Sequence, residues 1–430
     1  MSQTLIGFLL VFLLLFLGAP IAFGMAGVGL LGFAYFTGWS PALSMLGQIA
    51  YETTISDDLS VLPLFILMGS LINRAGLGRE LYDCAYAFLG HRRGGLAMAT
   101  VTACGGFGAV CGSSMATAAT MAKVAMPAMR RYGYADSLAA GSIASGGTLG
   151  ILIPPSVIMV VYGIMTSTDI GKLFIAGIIP GIIGIFFYVL AVATATAIDP
   201  ALGPPGGRST WKQRLQALGK IWGVLLLFLV VMGGLYVGAF TPTEAAGIGS
   251  GGAFLFALGR GGLTIVTLFE TLLETARTSA MMFVLLIGAL IFSNFINVAG
   301  LPDQLSAWVM AFGTAPIVVL LCIIAVYLVL GCLLESMSMI LLTIPIFFPI
   351  VKSLGFDAIW FGIIIVVVVE ISLITPPIGL NVFVLKATLP DVPMATIFRG
   401  VGLFIVADIF RLALFIFVPS IILFLPSLMK

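Results

Sequence analysis

Apolar segments of helix length recur along this chain, near 4–18, 20–36, 59–73, 134–165, 172–198, 221–239, 242–258, 278–298, 357–387 and 395–427. In hydrocarbon, every backbone N–H and C=O must find its partner within the protein, which restricts what such runs can become. Only 8% of the 430 residues are charged and 61% are hydrophobic, against about 25% charged in a soluble domain. The chain therefore reads as an all-α polytopic membrane protein whose medium is the lipid bilayer. A net charge of +2 gives no reason to expect a nucleic-acid partner. The five cysteines have no paired metal-ligand spacing, so neither a transition-metal site nor a disulfide framework is expected. The one histidine, His91, stands in a basic run and reads as a loop residue. The run Leu5 to Leu17 has no preceding positive charge and reads as a first span rather than a signal peptide.

One stretch departs from the helical monotony. Gly105-Gly106-Phe107-Gly108-Ala109-Val110-Cys111-Gly112-Ser113-Ser114 is uncharged and lies between two apolar arms. Arg92-Arg93 precede the first arm and Arg130-Arg131 follow the second. Basic ends with a neutral tip predict a re-entrant hairpin over 94–131, entering and leaving by one face. Irregular backbone at membrane depth survives only where protein buries it or where it lines a cavity. The alternative is two ordinary spanning helices joined by a small-residue packing motif.

The order of segments then repeats at an offset of 222 to 224. Pro20 falls on Pro242, Pro127 on Pro349, Gly133 on Gly355, and Pro154-Pro155 on Pro376-Pro377. Ile72 to Leu81 matches Ile296 to Leu305 at six of ten positions. The division is a first repeat 1–198, a link 199–220, and a second repeat 221–430 with its own hairpin at 315–352. Each repeat has about five spans and one hairpin; five is odd, so the second copy is expected upside down. Residues 70–131 carry seven Arg or Lys, whereas 292–353 carry only Lys352, in keeping with opposite orientations. On this reading both termini and the acidic loop with Glu52, Asp57 and Asp58 lie on the outer side of the membrane. An interfacial piece is expected at 302–312. An inverted repeat with hairpins and broken helices is the pattern of an alternating-access transporter.

Two half-sites follow. The first joins Gly112, Ser113 and Ser114 to the break at Gly147, Thr148 and Pro154-Pro155-Ser156. The second joins Gly331, Glu335 and Ser336 to Ser372, Thr375 and Pro376-Pro377. Proline frees the carbonyl four residues earlier and glycine lets the chain leave helical geometry. Freed carbonyls with Ser and Thr hydroxyls make an all-oxygen cage for a hard cation, and a nearly neutral cage suits Na⁺ better than a divalent ion. Substrate is expected near Ser114, Ser336, Pro155 and Pro377, facing half-helix N-termini that favour an anion. The competing reading is that Gly, Ser and Pro are common in packed membrane helices. Glu335 has three open roles: cation ligand, proton carrier, or cap of the following half-helix. Glu370 is expected to steady the Thr375 break, Glu244 to sit in a first helical turn, Asp408 and Arg411 to pair, and Lys123 to snorkel to the cytoplasmic face. No nucleophile–base pair or nucleotide loop appears, so an enzyme is not expected and no organic cofactor is implied.

The motifs Gly112-Ser113-Ser114, Gly147-Thr148-Leu149-Gly150-Ile151-Leu152-Ile153-Pro154-Pro155-Ser156 and Ile374-Thr375-Pro376-Pro377-Ile378-Gly379 closely resemble the large membrane subunit of tripartite ATP-independent periplasmic (TRAP) transporters. The resemblance covers essentially the whole chain. It implies a Na⁺-coupled importer of organic acid anions in the bacterial inner membrane, working as an elevator with the hairpins on the moving domain. It also implies a small four-helix membrane subunit, expected here as a separate chain, and a periplasmic substrate-binding protein. The alternative function is a self-sufficient Na⁺/dicarboxylate carrier that needs no binding protein. An intramembrane enzyme would need a catalytic dyad, and a channel would not need two hairpins.

Overall fold

A computed structural model describes residues 2–311 and 315–429. It is 83% helix, with no strand among the described residues. The first series comprises α1 (Ser2–Phe16), α2 (Ile21–Thr37), α3 (Trp39–Ile55), α4 (Val61–Arg74), α5 (Leu77–Leu89), α6 (Gly95–Cys111), α7 (Ser114–Arg131), α8 (Asp136–Thr148), α9 (Val157–Thr166) and α10 (Ile170–Ile198). The second comprises α11 (Trp211–Tyr236), α12 (Pro242–Gly259), α13 (Ile265–Val298), α14 (Leu301–Ala311), α15 (Pro316–Gly331), α16 (Ser336–Ser353), α17 (Ala358–Ser372), α18 (Leu380–Thr388), α19 (Met394–Phe417) and α20 (Ser420–Ser427). Among the described residues, five helices are long and apolar enough to cross a membrane: α10, α11, α13, α16 and α19.

Helix starts follow local chemistry. Thr241 caps α12 and the Glu244 carboxylate accepts from the Thr241 N–H at 2.8 Å, with Pro242 in the first turn. Glu244 is thus the first-turn acid expected. Asp169 and Asp357 cap α10 and α17 with their side chains, accepting from the Lys172 and Trp360 N–H groups. Both expected hairpin segments are helix–turn–helix units: α6 and α7 meet at Gly112-Ser113, and α15 and α16 at 332–335. Both expected breaks are present, between α8 and α9 and between α17 and α18. The bonds Pro154–Pro155 and Pro376–Pro377 are both cis.

Four boundaries depart from expectation. Residues 39–55, expected only to connect the spans 20–36 and 59–73, form α3, bent by 55° from the segment that ends in α4. α13 begins at Ile265, well before the expected 278. The final apolar run is divided at Val418-Pro419 into α19 and α20. The link is helical from Trp211 onward, as the start of α11. The interfacial piece is α14; Phe312, its last expected residue, lies outside the described residues.

Packing positions the site. α8 is buried from Leu138 to Thr148, between α6, α7 and α19. α17 is buried from Trp360 to Ser372. α4 packs against both α12 and α13 beside the two tips, and α13 also packs on α2. The link is pinned to the base of the first hairpin by Gly94 N–H to Gly203 O and Gly206 N–H to Gly90 O, both 2.8 Å. In contrast, only 28% of the apolar window of α11 is buried, which leaves Trp222, Leu226 and Leu229 to face lipid or a partner.

Candidate functional site

The first tip is made by an abrupt change of backbone. Gly112 ends α6 in the left-handed region, φ +62°, and donates its N–H to Gly108 O at 2.9 Å. Glycine alone takes that conformation without a steric cost. Ser113 then returns to extended backbone and caps α7, its hydroxyl accepting from Ala116 N–H at 3.4 Å. At the second tip the capping side chain is Glu335, which accepts from the Ser338 N–H at 3.3 Å and the Ser338 hydroxyl at 3.4 Å. Ser113 and Glu335 therefore occupy equivalent places and do the same local work. Of the three roles left open for Glu335, capping is the one its hydrogen bonds display.

Each tip rests on its break. A Cβ on Gly147 would come within 3.1 Å of Ser114 O, and one on Gly150 within 3.2 Å of Ser113 O. A Cβ on Gly112 would lie 3.0 Å from Pro155 O. At the second half-site, Gly331 packs against the Ser372 side chain so closely that a Cβ would overlap it. The Cys332 thiol reaches Pro376 O at 3.5 Å.

The two tips border one cavity of about 280 Å³. Ser113, Ser114, Met115 and Ala116 line it from α7's start, Glu335, Ser336 and Met337 from α16's. Val157 and Ile158 bring the first turn of a third helix, α9, whose cap is Ser156. Three helix N-termini thus converge, and each contributes a partial positive charge and free N–H groups. α4 supplies Ser70 and Asn73, and α13 supplies Glu274 and Thr278. Two carboxylates, Glu274 and Glu335, line the cavity, and no Lys, Arg or His is among its lining residues. Glu274 lies 3.9 Å from Arg74, which also pairs with Glu270 at 3.4 Å. The arrangement offers helix dipoles to an anion and oxygens to a hard cation. Among the described residues there is no group of three His, Cys, Asp or Glu that could hold a metal ion.

Residues 8–421 match the family model described as tripartite ATP-independent periplasmic transporter, DctM component. The chain belongs to this DctM family. It is similar to the C4-dicarboxylate TRAP transporter large permease protein DctM of Pseudomonas aeruginosa, with 38% identity over 88% of each chain. It is also similar to the protein of that name from Rhodobacter capsulatus, with 33% identity over 99% of each, and to the sialic acid TRAP transporter large permease protein SiaM of Vibrio cholerae, with 32% identity over 96% of each. The YdaH transporter of Alcanivorax borkumensis shares the fold, with a TM-score of 0.65 over 90% of both chains at 15% sequence identity. This DctM-family chain is therefore the large permease subunit of a binding-protein-dependent secondary transporter, a multi-pass inner-membrane protein of a family whose permease subunits are not enzymes.

Within this DctM-family chain the expected site residues divide. Gly112, Ser113, Ser114, Glu335 and Ser336 line the cavity; Gly147, Gly331 and Ser372 lie behind it as packing surfaces. The Thr148 hydroxyl turns away from the tip, donating to Ser145 O at 2.7 Å and lying 3.5 Å from the Tyr188 hydroxyl. The Thr375 hydroxyl is at its break, donating to Ile371 O at 2.6 Å. Pro155 is buried behind the first tip and Pro377 is exposed; neither borders the cavity. Glu370 does not steady the Thr375 break by touching it: its carboxylate pairs with Arg411 at 2.6 Å. Asp408 and Arg411 do pair, at 2.8 Å. Lys123 is exposed, as a snorkelling side chain would be.

Two residues were missed by the sequence reading. Asn381 on α18 donates to Ala144 O on α8 at 3.2 Å and so ties the two broken units together. Glu274 had an available signal: the offset of 222 places Glu274-Thr275 on Glu52-Thr53, an identical pair.

Proposed function

We propose that this DctM-family permease imports a small organic acid by Na⁺-coupled alternating access, with the hairpins on a moving elevator domain. A periplasmic binding protein would deliver the acid, and a small four-helix membrane subunit would complete the membrane complex. Both hairpins would be re-entrant, in inverted repeats, with the N- and C-termini periplasmic. The observation that carries the reading is the cavity itself: three helix N-termini and two carboxylates meet there with no basic side chain in its lining. An anion in such a place needs a bound cation to balance it. The Ser113, Ser114 and Pro155 carbonyls, which crowd the glycines of the first half-site, are of the oxygen type Na⁺ accepts. The second Na⁺ would sit among Gly331, Glu335, Ser336, Ser372 and Thr375. A volume of about 280 Å³ lies just below the range of ligand sites, about 300–1,000 Å³. It favours a compact acid, in keeping with the C4-dicarboxylate named for two of the relatives.

The test is uptake into proteoliposomes holding the membrane complex, with and without an inward Na⁺ gradient and with each candidate binding protein. Uptake should need both. Ser114→Ala and Thr375→Ala should weaken the Na⁺ dependence while expression is kept. Uptake that ignores Na⁺ would overturn the coupling, and uptake without any binding protein would favour the self-sufficient carrier.

A further inference from the structure

A second cavity, of about 400 Å³, opens at the end of α7 away from the tip. Arg79 of α5 and Lys123 and Arg131 of α7 line it with Pro127 and Tyr132, and its lining holds no acid. α5 touches α7 just before it, where a Cβ on Gly78 would lie 3.1 Å from Thr120 Cγ2. At the other rim the Tyr132 hydroxyl lies 3.0 Å from that of Tyr86, which accepts from the Gly207 N–H at 3.2 Å. Among the described residues none of the three cations is in an ion pair, whereas Arg74 is held by Glu270 and Glu274, Arg130 by Asp136 and Asp391, and Arg260 by Glu80. Asp83, one turn on from Arg79, feels its charge but does not line the cavity.

α7 connects this cavity to the one between the tips. Its accessible residues Ala116, Thr120, Lys123, Pro127 and Arg131 recur every three or four positions and so form one stripe. Ala116 lines the cavity between the tips, and so does Asn73, whose Oδ1 accepts from the Thr120 hydroxyl at 3.5 Å. Lys123 lies about 10 Å along the helix axis from Ala116. That is about one Debye length at physiological ionic strength, so its charge is felt there. The two cavities are opposite in charge: the first has two carboxylates and no basic side chain, the second three cations and no acid. An acid left between the tips after its balancing cation departs is repelled by Glu274 and Glu335 and attracted along the stripe.

We propose that Arg79, Lys123 and Arg131 form a second anion site, which takes a carboxylate of the departing acid at the cytoplasmic mouth of the first hairpin. The site rests on the import proposed above and on its topology. Two guanidinium groups suit a carboxylate, which each can grip through paired N–H donors, and the ammonium of Lys123 stands on the side toward the tips.

The test is protection of the Lys123 amine from an acylating reagent, read residue by residue by mass spectrometry on the membrane complex without Na⁺. Succinate, a C4-dicarboxylate, is the probe and succinamide its uncharged counterpart, at constant ionic strength. Succinate should slow acylation of Lys123 at least about threefold at saturation; succinamide should not, and Lys212 on the link should respond to neither. Arg79→Gln/Arg131→Gln should abolish the protection, and Arg79→Lys/Arg131→Lys should keep it. In nanodiscs, replacing phosphatidylcholine by phosphatidylglycerol should leave Lys123 as reactive as before. The same Gln variant in proteoliposomes should exchange labelled acid at least about threefold more slowly, yet reach the same final accumulation, because a site on the path alters rates and not the equilibrium. The proposal is overturned if succinate gives no protection, if succinamide protects equally, or if protection survives in the Gln variant. Protection by phosphatidylglycerol alone would overturn it too, and would assign the cavity to a lipid phosphate. Uptake that ignores Na⁺ while succinate still protects Lys123 would count against the coupling and not against this site; Na⁺-dependent uptake without protection would overturn this site alone.

Discussion

A methyl group on Gly108 should pry the first hairpin from the break that supports it. A Cβ there would overlap the Cα of Gly150 and lie 3.0 Å from its nitrogen. Both atoms are backbone, so no side chain can swing aside; α6 or the break must move. Two residues away on the same helix, a Cβ on Gly106 would meet only Leu81 Cδ2, at 3.4 Å, which is ordinary contact. Glycine to alanine in a helix interior gains about 1 kcal/mol. Overpacking costs about 1–3 kcal/mol, with rigid neighbours at the upper end. Gly106→Ala should therefore be neutral or stabilising, and Gly108→Ala net destabilising by roughly 1–2 kcal/mol. The difference between the variants, about 2–3 kcal/mol, is roughly 30-fold or more in an equilibrium constant. Melting of the purified permease measures the stability, and Na⁺-dependent uptake measures the site. Gly108→Ala should melt lower and need more Na⁺ for half-maximal uptake, while Gly106→Ala should do neither. Indistinguishable variants would refute the close approach of Gly108 to Gly150 and, with it, the seating of the tip on its break.

Two further outcomes are expected. Thr241→Ala removes the cap of α12, far in sequence from both tips, and should cost about 1 kcal/mol of stability with Na⁺ dependence unchanged; a changed Na⁺ response would show that α12 does more than support α4. In a cysteine-free background, Arg208→Cys should react with an impermeant thiol reagent only from the cytoplasmic side and Asp58→Cys only from the periplasmic side; the reverse pattern would invert the proposed topology.

The tips and breaks were legible because their signals are local. An uncharged Gly-Ser stretch between basic ends marks a turn that avoids water, and a Pro-Pro pair inside an apolar run marks a helix that cannot continue. α3 was not legible for the opposite reason. Gln48, Glu52 and Thr54 give its exposed side the look of a loop, although Gln48 donates to Glu52 one helical turn away and the Thr54 hydroxyl donates to Ala50 O. A reading by average hydropathy loses a helix that is polar on one side. The Asp408–Arg411 pair could be read because three residues is one helical turn. The pairing of Arg411 with Glu370, 41 positions away, depends on how α17 and α19 pack, and no local pattern encodes it. Thr148 shows the same limit. Its position at the break was evident, but whether its hydroxyl faces the tip or Tyr188 is set by α10, which arrives 40 residues later.

The central claim is that substrate and Na⁺ balance each other's charge in the cavity between the tips. Its lining has Glu274 and Glu335 and no basic side chain, so on the proposed function the anion would depend on helix dipoles and a bound cation. Binding should then be cooperative, and linkage makes the effect reciprocal. The direct measurement is calorimetric titration of the membrane complex with the acid that supports uptake, at two Na⁺ concentrations and constant ionic strength, with the converse Na⁺ titration alongside. The account predicts that Na⁺ tightens the acid and that the acid tightens Na⁺ by the same factor. Equal affinity for the acid at both Na⁺ concentrations would contradict it, and would mean that a protein cation balances the anion, with Lys123 and Arg74 the first to examine.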